Sequence, residues 1–271
     1  MSFLTQAVGR YVKATTRQTV RFLFPVSCAA CGVPLTDDPI PYFCSRCWNT
    51  LTPLPSTRCS RCSYPFVSPA ATSHTPRQVC WSCRKRPPSF TKAWTLYPYV
   101  SPLREALHLF KYKRKVALAE PLARLIINQF PTGESFDLII PVPLHIDRLR
   151  EREFNQSLLL ADRVGHHFGL RVSCTDLVRL RPSPQQTTLR RKERLKNLRG
   201  VFTVLHPSSI TGKRILLIDD VLTTGTTTNE CAKALRKAGS SDVYVLTLGR
   251  TMDTSQIPDR LRHQSHGRLH N

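Results

Sequence analysis

The chain predicts an α/β fold with a mostly parallel sheet, preceded by a small cysteine-rich module. Three observations carry that expectation. After about residue 90, helical patterns alternate with short β-branched runs, the signature of βαβ units. Eight of the ten cysteines lie between Cys28 and Cys83. A buried-type apolar run, Ile215–Ile218, ends in Asp219 and Asp220 and passes into a threonine-rich loop. With 271 residues, 41% of them apolar, the chain can bury a sizeable core, which excludes wholesale disorder. The expected organisation is a basic amphipathic helix over 1–24, the cysteine module over 25–88, the α/β domain over 90–250 and a loose tail over 251–271.

The first segment has no continuous apolar core of signal-peptide length. Phe3, Leu4, Ala7, Val8, Tyr11 and Val12 share a helical face, with Arg10, Lys13, Arg17 and Arg21 and no acid around them. Such a helix suits packing on its own protein ahead of contact with a membrane surface. A cytoplasmic location is the default expectation.

The module has four Cys-x-x-Cys pairs: Cys28/Cys31, Cys44/Cys47, Cys59/Cys62 and Cys80/Cys83. It is rich in proline and short of apolar runs, so a cross-link must hold it. A tight turn bearing two thiolates is half of a tetrahedral four-cysteine site, and eight ligands make two Zn²⁺ sites. Sequential pairing is the simplest; the spacing alone leaves a crossed pairing open. A disulfide framework needs an oxidising compartment, and a redox Cys-x-x-Cys does not explain four copies. All-cysteine sites leave no open position for chemistry, so these zinc ions are structural. The module itself reads as a weak duplication of one unit.

In the α/β part, strands are expected over 93–99, 136–142, 214–220 and 242–248. Helices are expected over 103–130, interrupted near Pro121, over 155–168 ending at Gly169, and over 226–238 ending at Gly239. The loop Leu222-Thr223-Thr224-Gly225-Thr226-Thr227-Thr228 joins the acid pair to the last of these helices. Ligands bind at the carboxyl ends of strands in such sheets. A helix N-terminus with free N–H groups and threonine hydroxyls cradles a phosphate, and Gly225 lets the backbone come close. Neither G-x-x-x-x-G-K-[ST] nor G-x-G-x-x-G is present. Two adjacent acids suit a vicinal diol, or Mg²⁺ held through water. Phosphate, diol and metal together describe a ribose 5-phosphate.

The string Ile215–Thr228 closely resembles the signature of type I phosphoribosyltransferases, which bind phosphoribosyl pyrophosphate (PRPP). Asp137–Leu144, Arg148–Arg152, Phe154-Asn155-Gln156 and the run Arg179–Phe202, with the cysteine module ahead of them, resemble the ComF/GntX family over about residues 20–250. The resemblance implies a double zinc ribbon followed by a type I phosphoribosyltransferase-like domain. It implies that Asp219 and Asp220 hold the ribose hydroxyls and Mg²⁺–PRPP, and that Thr223, Thr224, Gly225, Thr226 and Thr227 wrap the 5-phosphate. The Pro141–Arg148 turn falls where such folds place a pyrophosphate loop, with Arg148 the favoured contact and His145 a lesser one. Two positions depart from the family pattern: Glu153 stands for the glycine of Arg-Gly-Phe-Asn-Gln, and Ser183 for a threonine. Relatives in this family are associated with natural competence, which implies single-stranded DNA and DNA-uptake proteins as partners.

Charge points the same way. Forty Lys+Arg against eighteen Asp+Glu give a formal net charge of +22, which two zinc tetrathiolates would lower to about +18. Such an excess suits an anionic partner. Nine bases lie between residues 171 and 199, among them Arg190, Arg191, Lys192 and Arg194. Much of the segment between Pro182 and Gly200 reads as a mobile loop, which could cover a pyrophosphate, neutralise a nucleic-acid backbone or simply be a solvated charged loop. Lys111, Lys113, Arg114 and Lys115 form a second basic cluster beside Phe110, Tyr112 and Phe154, and Lys111 is a candidate for the same pyrophosphate or nucleic-acid contact. These aromatics suit the core better than base stacking. Three functions therefore compete: a Mg²⁺-dependent phosphoribosyltransferase, a single-stranded DNA-binding competence protein without turnover, and a zinc-ribbon adaptor.

Overall fold

The computed structural model describes residues 26–66, 78–180 and 200–252. The expected N-terminal helix, the bases at 181–199 and the tail beyond Met252 lie outside the described residues. The chain divides into two compact units, Met1–Leu51 and Thr52–Asn271. The second set of four cysteines therefore belongs to the unit that carries the sheet.

In the first unit the chain turns at Cys28–Cys31. Gly32 takes a φ of +76° there, and its N–H bonds the Cys28 carbonyl at 2.8 Å. Helix α1 (Ser45–Trp48) starts at Cys44, whose sulfur accepts from Cys47 N–H. The second unit opens on the same plan. The Cys28 and Cys59 N–H groups close on the carbonyls of Val33 and Tyr64, each at 2.8 Å. Ser63, the counterpart of Gly32, takes a φ of +56°. Helix α2 (Trp81–Lys85) starts at Cys80. The duplication read from the cysteine spacing is thus present in the main chain.

There follow β1 (Lys92–Pro98), α3 (Leu103–Tyr112), α4 (Ala119–Ile127), β2 (Leu138–Pro141), α5 (Ile146–Arg152), α6 (Gln156–Phe168), β3 (Leu177–Arg179), β4 (Phe202–Val204), β5 (Arg214–Leu222), α7 (Thr226–Lys237) and β6 (Asp242–Arg250). Four strands form a sheet of order β1-β6-β5-β2, parallel throughout. Its strands are almost wholly buried, as continuous apolar runs in a covered parallel sheet must be. β3 and β4 form a separate antiparallel ribbon. At one margin of the sheet, Ile139 N–H bonds Arg171 O and Ser173 N–H bonds Ile139 O, at 2.8 and 2.9 Å. At the other, Ala93 N–H bonds Arg61 O at 2.7 Å and Leu54 N–H bonds Leu96 O at 2.8 Å.

Three details differ from the sequence expectation. The helical stretch 103–130 breaks at 113–118, where Arg114 takes a φ of +53°. Pro121 instead lies in the first turn of α4, where a missing N–H forfeits no helical bond. Helix α5 and the β3–β4 ribbon had no clear period in the sequence, because each is short. Helix α6 matches its signals: Asn155 caps it by accepting from Ser157 N–H at 2.9 Å, and Gly169 ends it at φ +65°. Inside it, Gly165 is required by contact. A Cβ there would lie 2.5 Å from Val172 Cγ2 and 2.8 Å from Leu170 O. Among the described residues no helix is long and apolar enough to cross a membrane.

Candidate functional site

The two cysteine groups pair sequentially. Sulfur atoms of Cys28, Cys31, Cys44 and Cys47 lie within 4.8 Å of one another, as do those of Cys59, Cys62, Cys80 and Cys83. Knuckle amides point at the sulfurs: Cys44 N–H to Cys28 Sγ at 3.4 Å and Cys80 N–H to Cys59 Sγ at 3.3 Å. Four converging thiolates with amide donors fit tetrahedral Zn²⁺. The second group is built into the sheet. Ser63 Oγ donates to Ala93 O at 2.6 Å and Arg58 Nη1 to Thr95 O at 3.2 Å. From the end of β6, Arg250, 8% exposed, donates to Cys62 O at 3.2 Å and brings Nη2 to 4.0 Å from Cys62 Sγ. A zinc tetrathiolate carries a net negative charge, so a buried guanidinium at its edge has a counter-charge.

The acid pair stands at the carboxyl end of β5. Successive strand residues face opposite sides. Ile215 and Leu217 belong to the core that includes Cys231, Ala232 and Leu235 of α7. Asp219 follows their parity, and its carboxylate, after burial, helps push the Cys231 thiol well above its ordinary range. Asp220 turns the other way and meets Lys111, the last-turn base of α3, with Nζ 2.8 Å from Oδ2. Asp219 Oδ1 accepts from Ser157 Oγ at 3.0 Å and from the Asp220 N–H at 2.9 Å. Burial first, then the charge of Asp220, raises the Asp219 carboxyl to about 7. Ser157 was not legible as a site residue. Its signal was its place directly after Phe154-Asn155-Gln156: Asn155 caps α6 and donates to Val142 O at 3.1 Å, which sets the first turn of the helix beside β5.

The threonine loop follows. Gly225 takes a φ of +75°, opening α7 with its N-terminus toward the loop. Among the described residues, Thr226 has the one loop amide with a side-chain partner, Thr224 Oγ1 at a long 3.4 Å, and those two hydroxyls lie 2.9 Å apart. Thr223 and Thr224 are exposed. The loop is open to an anion. It also forms one wall of a cleft of about 1120 Å³, whose other wall is the second cysteine group with Trp81, Arg86 and Phe90. Trp81 is 72% exposed, with Lys85 Nζ 4.8 Å from its ring centroid.

The remaining predicted residues sit as follows. Lys111 belongs to the acid pair and is largely buried, with 16% of its side chain exposed. Arg148 lies on α5 and pairs with Glu151 at 2.6 Å. His145 is buried and caps α5, its Nδ1 3.3 Å from Asp147 N. Glu153 takes a φ of +68°, a conformation that suits the glycine of the family pattern, and its carboxylate lies 2.6 Å from Arg114 Nη1. Phe110 is fully buried and packs on Phe154, whereas Tyr112 is 54% exposed. Arg190, Arg191, Lys192, Arg194 and Ser183 lie outside the described residues.

A parallel sheet, an acid pair at a strand end and an open threonine loop define a phosphoribosyltransferase-like domain, here carrying a double zinc ribbon. The phosphoribosyl transferase domain family matches residues 119–255, and the double zinc ribbon domain family matches residues 19–84. The DNA utilization protein YhgH of Escherichia coli O6:H1 is 32% identical over 236 residues, covering 84% of this chain and 98% of that protein. Competence protein F of Haemophilus influenzae is 29% identical over 223 residues, covering 76% and 96%. The adenine phosphoribosyl transferase of Trypanosoma brucei is 13% identical, with a TM-score of 0.37 over 66% of this chain and 89% of that one. The chain belongs to the ComF family.

Proposed function

We propose that the chain binds a ribose 5-phosphate group, in the form of PRPP, and acts in the handling of incoming DNA. The observation that carries the first part is the open loop Thr223–Thr227, which starts three residues beyond a pair of adjacent carboxylates near the end of β5. The loop takes the 5-phosphate, and Asp219 and Asp220 accept from the ribose hydroxyls. Carboxylate oxygens suit Mg²⁺, but Lys111 already neutralises Asp220, so the Mg²⁺ of this reading is brought by the pyrophosphate of the ligand. Mg²⁺ there offsets pyrophosphate charge. Arg148 and the bases at 190–194 are the chain's own candidates for the same task. In a transferase reaction an acceptor's nucleophile would bond C1 of the ribose as the C1–oxygen bond to pyrophosphate breaks. The sequence motifs identify no acceptor, so the proposal stops at binding. The part in DNA handling comes from the names of the relatives.

The test is a calorimetric titration of PRPP with Mg²⁺ into the zinc-loaded protein and into Asp219→Asn/Asp220→Asn. Binding to the first and at least about tenfold weaker binding to the second is expected, since hydrogen bonds to charged groups are worth about 1.5–3 kcal/mol. Equal heats sink the reading.

A second reading, single-stranded DNA binding without turnover, is favoured by exposed Trp81 beside Arg84, Lys85 and Arg86, an aromatic platform among bases. Affinity for a single strand should then fall with salt at a slope of about −0.7 per phosphate neutralised. A flat response counts against it.

A further inference from the structure

The acid pair has a counter-charge of its own. Lys111 reaches it from the last turn of α3, a helix anchored by fully buried Leu103, Ala106, Leu107 and Phe110. Its ammonium sits 2.8 Å from Asp220 Oδ2, and only 16% of the lysine side chain and 11% of the aspartate side chain are exposed. An ion pair so placed is not a loose surface contact, because both partners lose much of their water and each would be costly alone. The neighbouring Tyr99 ring is seated over Gly249 of β6, where a Cβ would lie 3.3 Å from Tyr99 Cδ2. Tyr99 lies near enough to Lys111 and Asp220 to feel the charge of both, and Ser157 holds Asp219 from α6.

The oxygens can be counted. Asp220 Oδ2 is taken by Lys111. Asp219 Oδ1 is taken by Ser157 and by the Asp220 amide. Among the described residues this leaves Asp219 Oδ2 and Asp220 Oδ1, two acceptors for the two hydroxyls of a vicinal diol. With both carboxyls ionised the two aspartates and one ammonium sum to a single negative charge, and with Asp219, raised to about 7, protonated they sum to none. A hard divalent cation seeks several free, charged oxygens and keeps its waters otherwise, so this trio is a poor cation site while Lys111 is in place.

We infer that Lys111 is the resident counter-cation of the acid pair: it lets the pair accept a ribose diol without a divalent metal, and confines any Mg²⁺ requirement to ligands that carry a pyrophosphate. The inference rests on the ribose-phosphate reading for its ligand, but its electrostatic part stands on the Lys111–Asp220 geometry alone. Lys111 is then a positioning residue, acting through the carboxylate that it holds.

Two measurements on the full-length, zinc-loaded chain test this. In the first, Mn²⁺ alone is titrated without sugar and followed by its paramagnetic resonance. Wild type and Lys111→Arg should take up no Mn²⁺ at the pair. Lys111→Met should gain one site, lost again in Lys111→Met/Asp219→Asn. In the second, ribose 5-phosphate, which lacks pyrophosphate, is titrated in metal-depleted buffer and in millimolar Mg²⁺. Wild type should bind alike in both. Lys111→Met should lose about tenfold or more without metal, the scale of a charged hydrogen bond, and recover with Mg²⁺. A Mn²⁺ site in wild type equal to that in Lys111→Met overturns the inference, as does a wild-type requirement for Mg²⁺ with ribose 5-phosphate. If wild type binds no ribose 5-phosphate in either buffer, the ribose-phosphate reading falls instead, and the Mn²⁺ titration still decides what Lys111 does. Zinc content equal to wild type and a single cooperative melt above the titration temperature in Lys111→Arg and Lys111→Met exclude misfolding as the cause.

Discussion

The two cysteine groups have the same ligands, the same knuckle hydrogen bonds and the same short helix opening on the third cysteine, yet they are embedded differently. The first lies in Met1–Leu51, and the second in the unit of the sheet. At the left-handed turn the first uses Gly32, which adopts that conformation at no steric cost, while the second uses Ser63, which does not. The serine's hydroxyl is what the strain gains: it donates to Ala93 O of β1. Arg250 adds a charged tie from β6. One ligand pattern thus serves two ends. Spacing dictates the metal, and the residues between and beyond the ligands dictate what the metal supports.

Substituting a ligand in each group should break the symmetry most sharply. Cys62→Ser should cost one zinc equivalent and the cooperative melting of the sheet unit, since structural zinc contributes about 10–16 kcal/mol in small domains whose whole stability is of order 5–15 kcal/mol. Cys31→Ser should cost one zinc equivalent and leave PRPP titration as in wild type. Metal analysis with calorimetric melting reads both, and equal losses of binding would erase the distinction drawn between the groups.

Arg250→Met should be the next largest. It removes a buried charged donor from Cys62 and leaves the tetrathiolate without its neighbour, for about 2–3 kcal/mol in a denaturant midpoint. A loss below about 0.5 kcal/mol, the usual surface value, would make the tie incidental.

Titration separates the sheet unit further. The Asp219 carboxyl is raised from 3.8 to about 7 in the fold, so between those values the folded state binds more proton than the unfolded one. Its contribution to stability is therefore full in acid and falls as pH rises toward 7, by at most about 1.4 kcal/mol per pH unit. Asp219→Asn should flatten that slope in melts taken between pH 5 and 7, a range set by those two values. An unchanged slope would mean that another group carries the proton.

Ser63→Ala keeps the unfavourable turn and loses its hydroxyl bond, for about 1–2 kcal/mol in urea melts. The smallest effect expected is a gain. Glu153→Gly relieves a left-handed residue worth roughly 1 kcal/mol and loses an ion pair with Arg114 whose side chains are 52% and 61% exposed, a contact of little value at the surface. A higher melting temperature is the outcome; a lower one would give that pair more weight than its exposure suggests.

The parallel sheet, the ends of α6 and α7, and the eight cysteine ligands followed from periodicity, capping residues and spacing, which are local, whereas the choice between sequential and crossed pairing came from the fold. So did the acid pair and its loop, because every member lies within Ile215–Thr228. What escaped was non-local. Lys111 read as one base in a basic run, and only the return of α3 to the end of β5 brings it to Asp220. Ser157 had no distinguishing pattern until Asn155 anchored its helix. The partition of the second cysteine group with the sheet depends on Ser63, Arg58 and Arg250, whose partners lie 30, 37 and 188 residues away.

Both flanks of the four-stranded sheet are closed by the chain itself, one by Arg171–Ser173 against Ile139 and the other by Leu54 and Arg61 against β1. Exposed strand flanks invite end-on addition of other chains and the growth of fibres. Because one of those covers hangs from the second metal knot, chelation would do more than loosen a ribbon. It would bare the backbone of β1, turning a closed particle into one that can seed its own precipitation.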